Sequence, residues 1–308
     1  MILQFLVIQL LLGLTAQQEN VPIAVQQSDT GIRHSILITG GETLMLSADG
    51  KTIWSYPGGS RDGWVLPNGD ILLAVNKTDE FPGGAILQID RAGKRVFAFK
   101  GSQDEVDTVQ PLPNGQIMLT ESGAKPCIVE IDRTGKIKHQ IPLKCQLENH
   151  HMQTRMARKL KNGNYLVPHA FDKVVKEYAP NSSGVVWSVP TPDWCFTAIR
   201  LPDGHTLIGC TRSNTVIEVD KEGKTFWQLT NSDLPAPYIK DACGVQRLAN
   251  GNTVVTSYGA GGADEIKMIE VTREKKVVWT LKTGRAHGVH TFQILDDRQR
   301  PLRGEVWK

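Results

Sequence analysis

Apolar residues in this chain fall in short runs between turn-forming residues, and no segment sustains helical spacing. Runs such as Ile71-Leu72-Leu73-Ala74-Val75 and Thr253-Val254-Val255-Thr256 have the length and β-branched character of strands. Each follows a turn that recurs along the chain. Its copies are Leu66-Pro67-Asn68-Gly69, Leu112-Pro113-Asn114-Gly115, Leu160-Lys161-Asn162-Gly163, Leu201-Pro202-Asp203-Gly204 and Leu248-Ala249-Asn250-Gly251. The glycines are spaced by 46, 48, 41 and 47 residues. Asn-Gly or Asp-Gly between apolar runs predicts a tight hairpin, because such turns need positive φ.

A second turn alternates with the first. Ile89-Asp90-Arg91-Ala92-Gly93 is echoed by Ile131-Asp132-Arg133-Thr134-Gly135 and Val219-Asp220-Lys221-Glu222-Gly223. Ser47-Ala48-Asp49-Gly50, Asn181-Ser182-Ser183-Gly184 and Thr272-Arg273-Glu274-Lys275 fill the same slot. A strand with a central aromatic follows: Trp54, Phe97, Trp187, Trp227 or Trp279, with His139 in the third copy. These aromatics read as packing between adjacent sheets. Each unit is therefore four short strands with two tight turns, the blade of a β-propeller. A β-sandwich would leave the in-phase copies unexplained, and the absence of helical periodicity excludes a helical solenoid.

The ends set the blade number. Strands at 35–38, 43–46 and 51–56 lack a partner that a strand at 290–295 supplies, with its turn at Asp296-Asp297. The expected fold is all-β, a six-bladed propeller of four-stranded antiparallel blades closed by three N-terminal strands plus one C-terminal strand. Expected boundaries are a signal peptide at 1–16, a lead segment at 17–33, the propeller at 34–299 and a tail at 300–308. The first segment carries no charge and is too short to span a bilayer, so export with cleavage after Ala16 is expected, and membrane attachment only through an uncleaved N-terminus. A secreted or periplasmic location follows from that reading; a monomer of bacterial origin is expected alongside it. Asn76-Lys77-Thr78 and Asn181-Ser182-Ser183 are glycosylation acceptors only in a eukaryote.

Composition narrows the partners. With 308 residues, 40% hydrophobic and 22% charged, the chain has ample apolar mass for a core. Its net charge of +3 is scattered, so no nucleic-acid footprint is expected. Five cysteines, Cys127, Cys145, Cys195, Cys210 and Cys243, include no CxxC pair. Cys127–Cys145 or Cys195–Cys243 could pair in an oxidising compartment, and buried thiols fit equally well.

Both tight turns lie on one face of such a ring, so the irregular connections lie on the other, where function concentrates. That face receives Asp107, Glu121, Gln153, Arg155, Asp193, Trp194, Asp241 and Tyr258 as candidate ligand contacts. It also receives His151, His169, His287, His290 and Arg212 as candidate catalytic groups. The loops 76–84 and 259–264 are candidate flaps. A histidine beside Arg155 or Arg212 suits nucleophilic or acid–base work on an oxyanion. Cys195 or Cys243 beside a histidine is a lesser nucleophile. A metal ion among His150, His151, His169, His287 and His290 is a minor alternative, since neighbouring strand residues point apart. No cofactor is expected.

The phrases Ile89–Phe97 and Val219–Trp227 resemble the blade motif of pyrroloquinoline-quinone-type propellers. The Leu-Pro-Asn-Gly turn with its apolar strand is similar to that of arylsulfotransferase-like six-bladed propellers. The resemblance covers the chain after residue 34 and rests on turns and packing aromatics. It implies the fold, and it offers a channel histidine, with His151, His169, His287, His290 and Arg212 as positional candidates, for a sulfuryl-transfer or hydrolase activity. The leading expectation is a binding or scaffold protein that recognises a small molecule, glycan or protein partner on the loop-rich face.

Overall fold

The computed structural model describes residues 24–182, 184–302 and 308. Six antiparallel sheets succeed one another around a closed ring. Blade 1 comprises Val289–Leu295, Ser35–Gly40, Thr43–Leu46 and Thr52–Tyr56 from the axis outward. Blade 2 comprises Ser60–Val65, Ile71–Val75, Ala85–Ile89 and Arg95–Lys100. Blade 3 comprises Glu105–Pro111, Ile117–Ser122, Cys127–Ile131 and Ile137–Pro142. Blade 4 starts on the short Arg158–Lys159 and continues with Tyr165–His169, Val174–Tyr178 and Val185–Pro190. Blade 5 comprises Cys195–Arg200, Thr206–Cys210, Thr215–Val219 and Thr225–Leu229. Blade 6 comprises Ala242–Arg247, Thr253–Ser257, Met268–Val271 and Val277–Lys282.

Closure follows the expected register, with Ser35 opposite Leu295, Ile36 opposite Ile294 and Leu37 opposite Gln293. The segment expected only as a lead does more. Val25–Gln27 adds a fifth strand to the outer edge of blade 6, Val25 pairing with Lys282. Gln26 then accepts from the Trp279 indole (2.9 Å) and donates to His34 O (2.9 Å). The signal-peptide reading at 1–16 lies outside the described residues.

The turns explain their residues. In the first copy Gly69 N donates to Leu66 O and Leu66 N to Asp70 O, both at 2.8 Å. Gly69 takes φ +93°, while Asn68 stays outside the left-handed region and its side chain accepts from Asp70 N. The loop is thus a β-turn ending in one left-handed residue, and only the glycine needs positive φ. Asp296 and Gln299 reproduce the same pair of bonds, with Gln299 at φ +59°, which makes 296–299 the sixth copy of this turn.

Between blades, each core mixes side chains of two sheets. Leu37 and Met45 of blade 1 pack with Leu73 and Leu87 of blade 2. At three of the joints an outer-strand ring acts as a staple, whereas Phe97 has no N–H, the Trp54 indole N–H is buried without a partner and Trp279 donates to Gln26. Trp187 Nε1 donates to Lys221 O and Trp227 Nε1 to Arg273 O, each 2.8 Å away in the next blade. His139 reaches Pro180 O at 2.5 Å, so the imidazole does what the indoles do elsewhere. Beside each staple a third-strand glutamate meets a cation of the following blade: Glu177–Arg200 at 2.8 Å and Glu218–Arg247 at 2.6 Å. Arg200 also lies over Trp187, 4.6 Å from the ring centre.

Phe292→Ala opens a cavity at the closing strand and is expected to cost about 3–5 kcal/mol. Trp227→Phe removes the staple donor and part of the ring surface under Arg247 and Arg273, and is expected to cost about 1–2 kcal/mol. Denaturant unfolding of both variants checks the ranking; equal losses would contradict it.

Candidate functional site

The innermost strands, and in blade 4 the segment leading into Arg158–Lys159, place one residue five positions ahead of each first-turn start: Arg61, Asp107, Arg155, Phe196, Cys243 and Thr291. Three successive blades therefore bring positive, negative and positive side chains to one mouth on the loop-rich face. Arg155 Nη1 lies 3.3 Å from Asp107 Oδ1, and Arg61 reaches Glu105 at 3.0 Å and Asp107 at 3.7 Å. Asp107 is fully buried and also accepts from Ser122 and from Thr154 Oγ1 (2.8 Å).

Above this layer, the single-turn helix His150–Met152 presents His151. Its Nδ1 lies 2.9 and 3.0 Å from the two Glu105 oxygens. Burial opposes ionisation of Glu105, yet the His151 hydrogen bond and the Arg61 charge hold its carboxyl at about 2. His290, at the start of the closing strand, is stacked between Tyr258 (4.1 Å) and Phe196 (5.4 Å). Its Nδ1 is buried and has no hydrogen-bond partner. Burial, reinforced by Arg61 and Arg155, pushes the imidazole down to about 3, so the ring is neutral at physiological pH. Tyr258 itself is 42% exposed and forms the rim. Gly288 makes that stack possible: a Cβ there would come within 1.7 Å of Tyr258 O. The loop after Tyr258 is tied down by buried Lys267, which donates to Ala260 O and to Gly262 O (2.6 Å).

Five expected residues thus meet at one mouth: Asp107, Arg155, His151, His290 and Tyr258. The others go elsewhere. Gln153 and Glu121 are buried in the supporting wall, bonded to Gly123 and to Ser102 respectively. His169 is fully enclosed, with Nδ1 on Gln153 O (2.9 Å) and Nε2 on Tyr178 Oη (2.8 Å). Burial and Lys176 push it down to about 3, and it serves to join two strands. Arg212 stacks on Trp194 at 4.6 Å, beside Asp193 and its partner Lys173 (3.2 Å), as a separate exposed patch. His287 lies 3.8 Å from Glu42 at the junction of blades 6 and 1. Asp241 takes φ +53° and is held by Asn214. The quartet His151, His169, His287 and Arg212 does not converge.

Sequence reasoning missed Arg61, Glu105 and Phe196. Aligning the inner strands on their turns would have exposed Arg61 and Phe196, since both occupy the slot of Asp107 and Arg155. The cysteines are thiols, and Cys195 faces Cys210 across the sheet rather than Cys243. Burial pushes Cys195 up to about 12 and Cys243 higher, so neither is an activated nucleophile. Among the described residues one acid–histidine group, Asp203, His205 and Glu218, has metal-like spacing on the opposite face. Glu218 is already held by Arg247 and Arg273, and two guanidinium groups at that carboxylate oppose a cation there.

The assembly defines a six-bladed β-propeller with a charged, aromatic-rimmed mouth. A protein of unknown function from Bacteroides caccae superposes with a TM-score of 0.75 at 20% identity, covering 86% of this chain and 100% of that one. Virginiamycin B lyase from Staphylococcus aureus (0.55, 13% identity, 84% and 98%) and the WD40 propeller domain of Doa1 (0.53, 12%, 82% and 83%) share the architecture. At these identities the likeness is one of fold. No protein-family model and no curated protein matches the chain.

His169 and His290 bind protons near pH 6.5 when unfolded and near pH 3 when folded. Between those values the unfolded chain binds more protons, so stability falls as pH drops through that window. Denaturation midpoints from pH 7 to 4 should fall less steeply in His169→Gln than in the parent; an unchanged slope would contradict the assignment.

Proposed function

We propose that this propeller is a binding protein for a neutral, hydroxyl-rich ligand of saccharide type, seated in the mouth of the loop-rich face. The observation that carries the reading is His290, whose buried Nδ1 lacks a partner although polar atoms in such places are normally satisfied. A ligand hydroxyl supplies that partner. Tyr258 offers an exposed ring on which a sugar face can lie, stacked over His290. Arg61 and Arg155 are engaged by Glu105 and Asp107, and Lys77 reaches Glu105 at 3.7 Å, so the cations of the mouth already hold carboxylate partners when a neutral ligand enters. Such paired groups still have donors and acceptors to spare for hydroxyls. The apolar run at 1–16 supports action outside the cytoplasm, in a secreted or periplasmic setting.

A second reading, an arylsulfotransferase-like transferase or hydrolase, is favoured by one pair: His151 with Glu105. The carboxylate orients the imidazole as an orienting acid does in acid–base sites, and Arg61 is available for an oxyanion.

Calorimetric titration with a panel of neutral mono- and oligosaccharides tests the first reading. Saturable binding by at least one, weakened about tenfold (~1.4 kcal/mol) in both Tyr258→Ala and His290→Ala, is expected. No binding at millimolar sugar, or binding indifferent to both substitutions, overturns it. Turnover of aryl sulfates that vanishes in His151→Ala would establish the second reading instead.

A further inference from the structure

The face of tight turns, opposite the mouth, opens into a cavity of about 900 Å³ bordered by the first turns of blades 3, 4 and 5. Lys308 lies in its wall, although this residue belongs to no blade. Its side chain is buried, and its amine enters a recess on the innermost strand of blade 2. There Nζ donates to Gly63 O, lies 3.5 Å from Asp62 Oδ1 and sits 4.2 Å from the centre of the Trp64 ring. The main-chain oxygen of Lys308 accepts from Arg158 Nε at 2.8 Å. Consecutive residues of one strand thus offer a carboxylate, a carbonyl and an aromatic face to a single amine, while blade 4 holds the oxygen at the other end of the same residue.

The blades build this recess without Lys308. Asp62 already accepts from Thr108 (2.9 Å), Arg158 (2.8 Å) and Thr291 (3.2 Å), and the Trp64 indole N–H is fixed on Val109 O at 2.6 Å. At the position of Trp64, two ahead of the first turn, the other blades carry Gln110, Arg158, Ile199, Gln246 and Ile294, so the aromatic wall is peculiar to blade 2. We propose that the recess is a recognition site for lysine, free or within a peptide, and that Lys308 occupies it in cis. The ligand amine takes the place of Nζ between Asp62, Gly63 O and Trp64, and the oxygen behind it faces Arg158. Burial pushes the Lys308 amine down to about 7 although Asp62 pulls the other way, because Arg158 already balances that carboxylate. The recess therefore selects the amine chiefly as an N–H donor on a flexible stem. A tethered occupant competes at high effective concentration, so an outside lysine enters when Lys308 is removed or outcompeted. This proposal does not rest on the saccharide reading, whose residues lie on the other face.

Calorimetric titration of Lys308→Ala with Nα-acetyl-lysine and with its amide tests it. The expected result is one saturable site per chain, with the parent binding about tenfold more weakly because its own Lys308 competes. Nα-acetyl-norleucine, which keeps the stem but has no amine, should bind Lys308→Ala about tenfold more weakly than the lysine ligand. Adding Trp64→Leu to that variant should weaken lysine about fivefold, and adding Tyr258→Ala should leave it unchanged. Tighter binding of the free carboxylate than of the amide assigns the site to free or chain-terminal lysine; equal binding assigns it to lysine inside a peptide. In the parent, excess ligand should raise the acetylation of Lys308 relative to exposed Lys94 about threefold, a mass-spectrometric readout that does not depend on the stability of Lys308→Ala. No binding to Lys308→Ala at millimolar ligand, equal binding by parent and variant, equal binding of lysine and norleucine, or a labelling ratio indifferent to the ligand overturns the proposal.

Discussion

A ring of sheets holds together only if each blade is fastened to the next, and here one hydrogen bond recurs at the three successive joints from blade 3 to blade 6. An aromatic on the outer strand donates into the tight turn of its neighbour, as Trp187 does to Lys221 O and Trp227 to Arg273 O. The donor sets the angle between sheets because the indole is rigid and its acceptor sits in a turn whose backbone is itself hydrogen bonded. His139 shows that at such a joint an imidazole can take the place of the indole. Flanking glutamate–cation pairs such as Glu177–Arg200 are largely buried, where breaking one partner leaves the other charge stranded. The interface thus tolerates little misalignment.

Alignment of the blades in turn places the inner strands at matching heights. Residues equally far from their turns then meet around the axis, which is why Arg61, Asp107 and Arg155 form a ladder of alternating charge although they lie far apart in the chain. One level below, Asp62 gathers donors from three blades. At the level of Asp62 the axis is therefore filled by hydrogen-bonded side chains of several blades.

Histidine illustrates how burial decides a role. His169 and His290 are both pushed down to about 3 by burial, yet the first has both ring nitrogens engaged and the second has one orphaned. The same residue type is a strand tie in one blade and an unfilled hydrogen-bonding position in another. His151, more than half exposed and braced by Glu105, is a third case, a ring held in orientation at the surface.

Local chemistry was enough to announce the architecture. Glycines that must adopt positive φ, apolar runs of strand length and a constant spacing can be read without knowing any distant contact, because each is satisfied within a few residues. Even the closing strand was legible, since a blade missing one strand at one end and a stray strand at the other have a single economical solution. The site was legible only in part. Asp107, Arg155, His151, His290 and Tyr258 could be placed on the loop-rich face by topology alone. That His169 would be sealed behind Tyr178, that His287 would lie across the rim beside Glu42, and that Arg61 would complete the charged ladder depended on how neighbouring sheets pack. Those outcomes are set by contacts between residues of different blades, often more than forty positions apart, and such contacts exist only once the ring has closed.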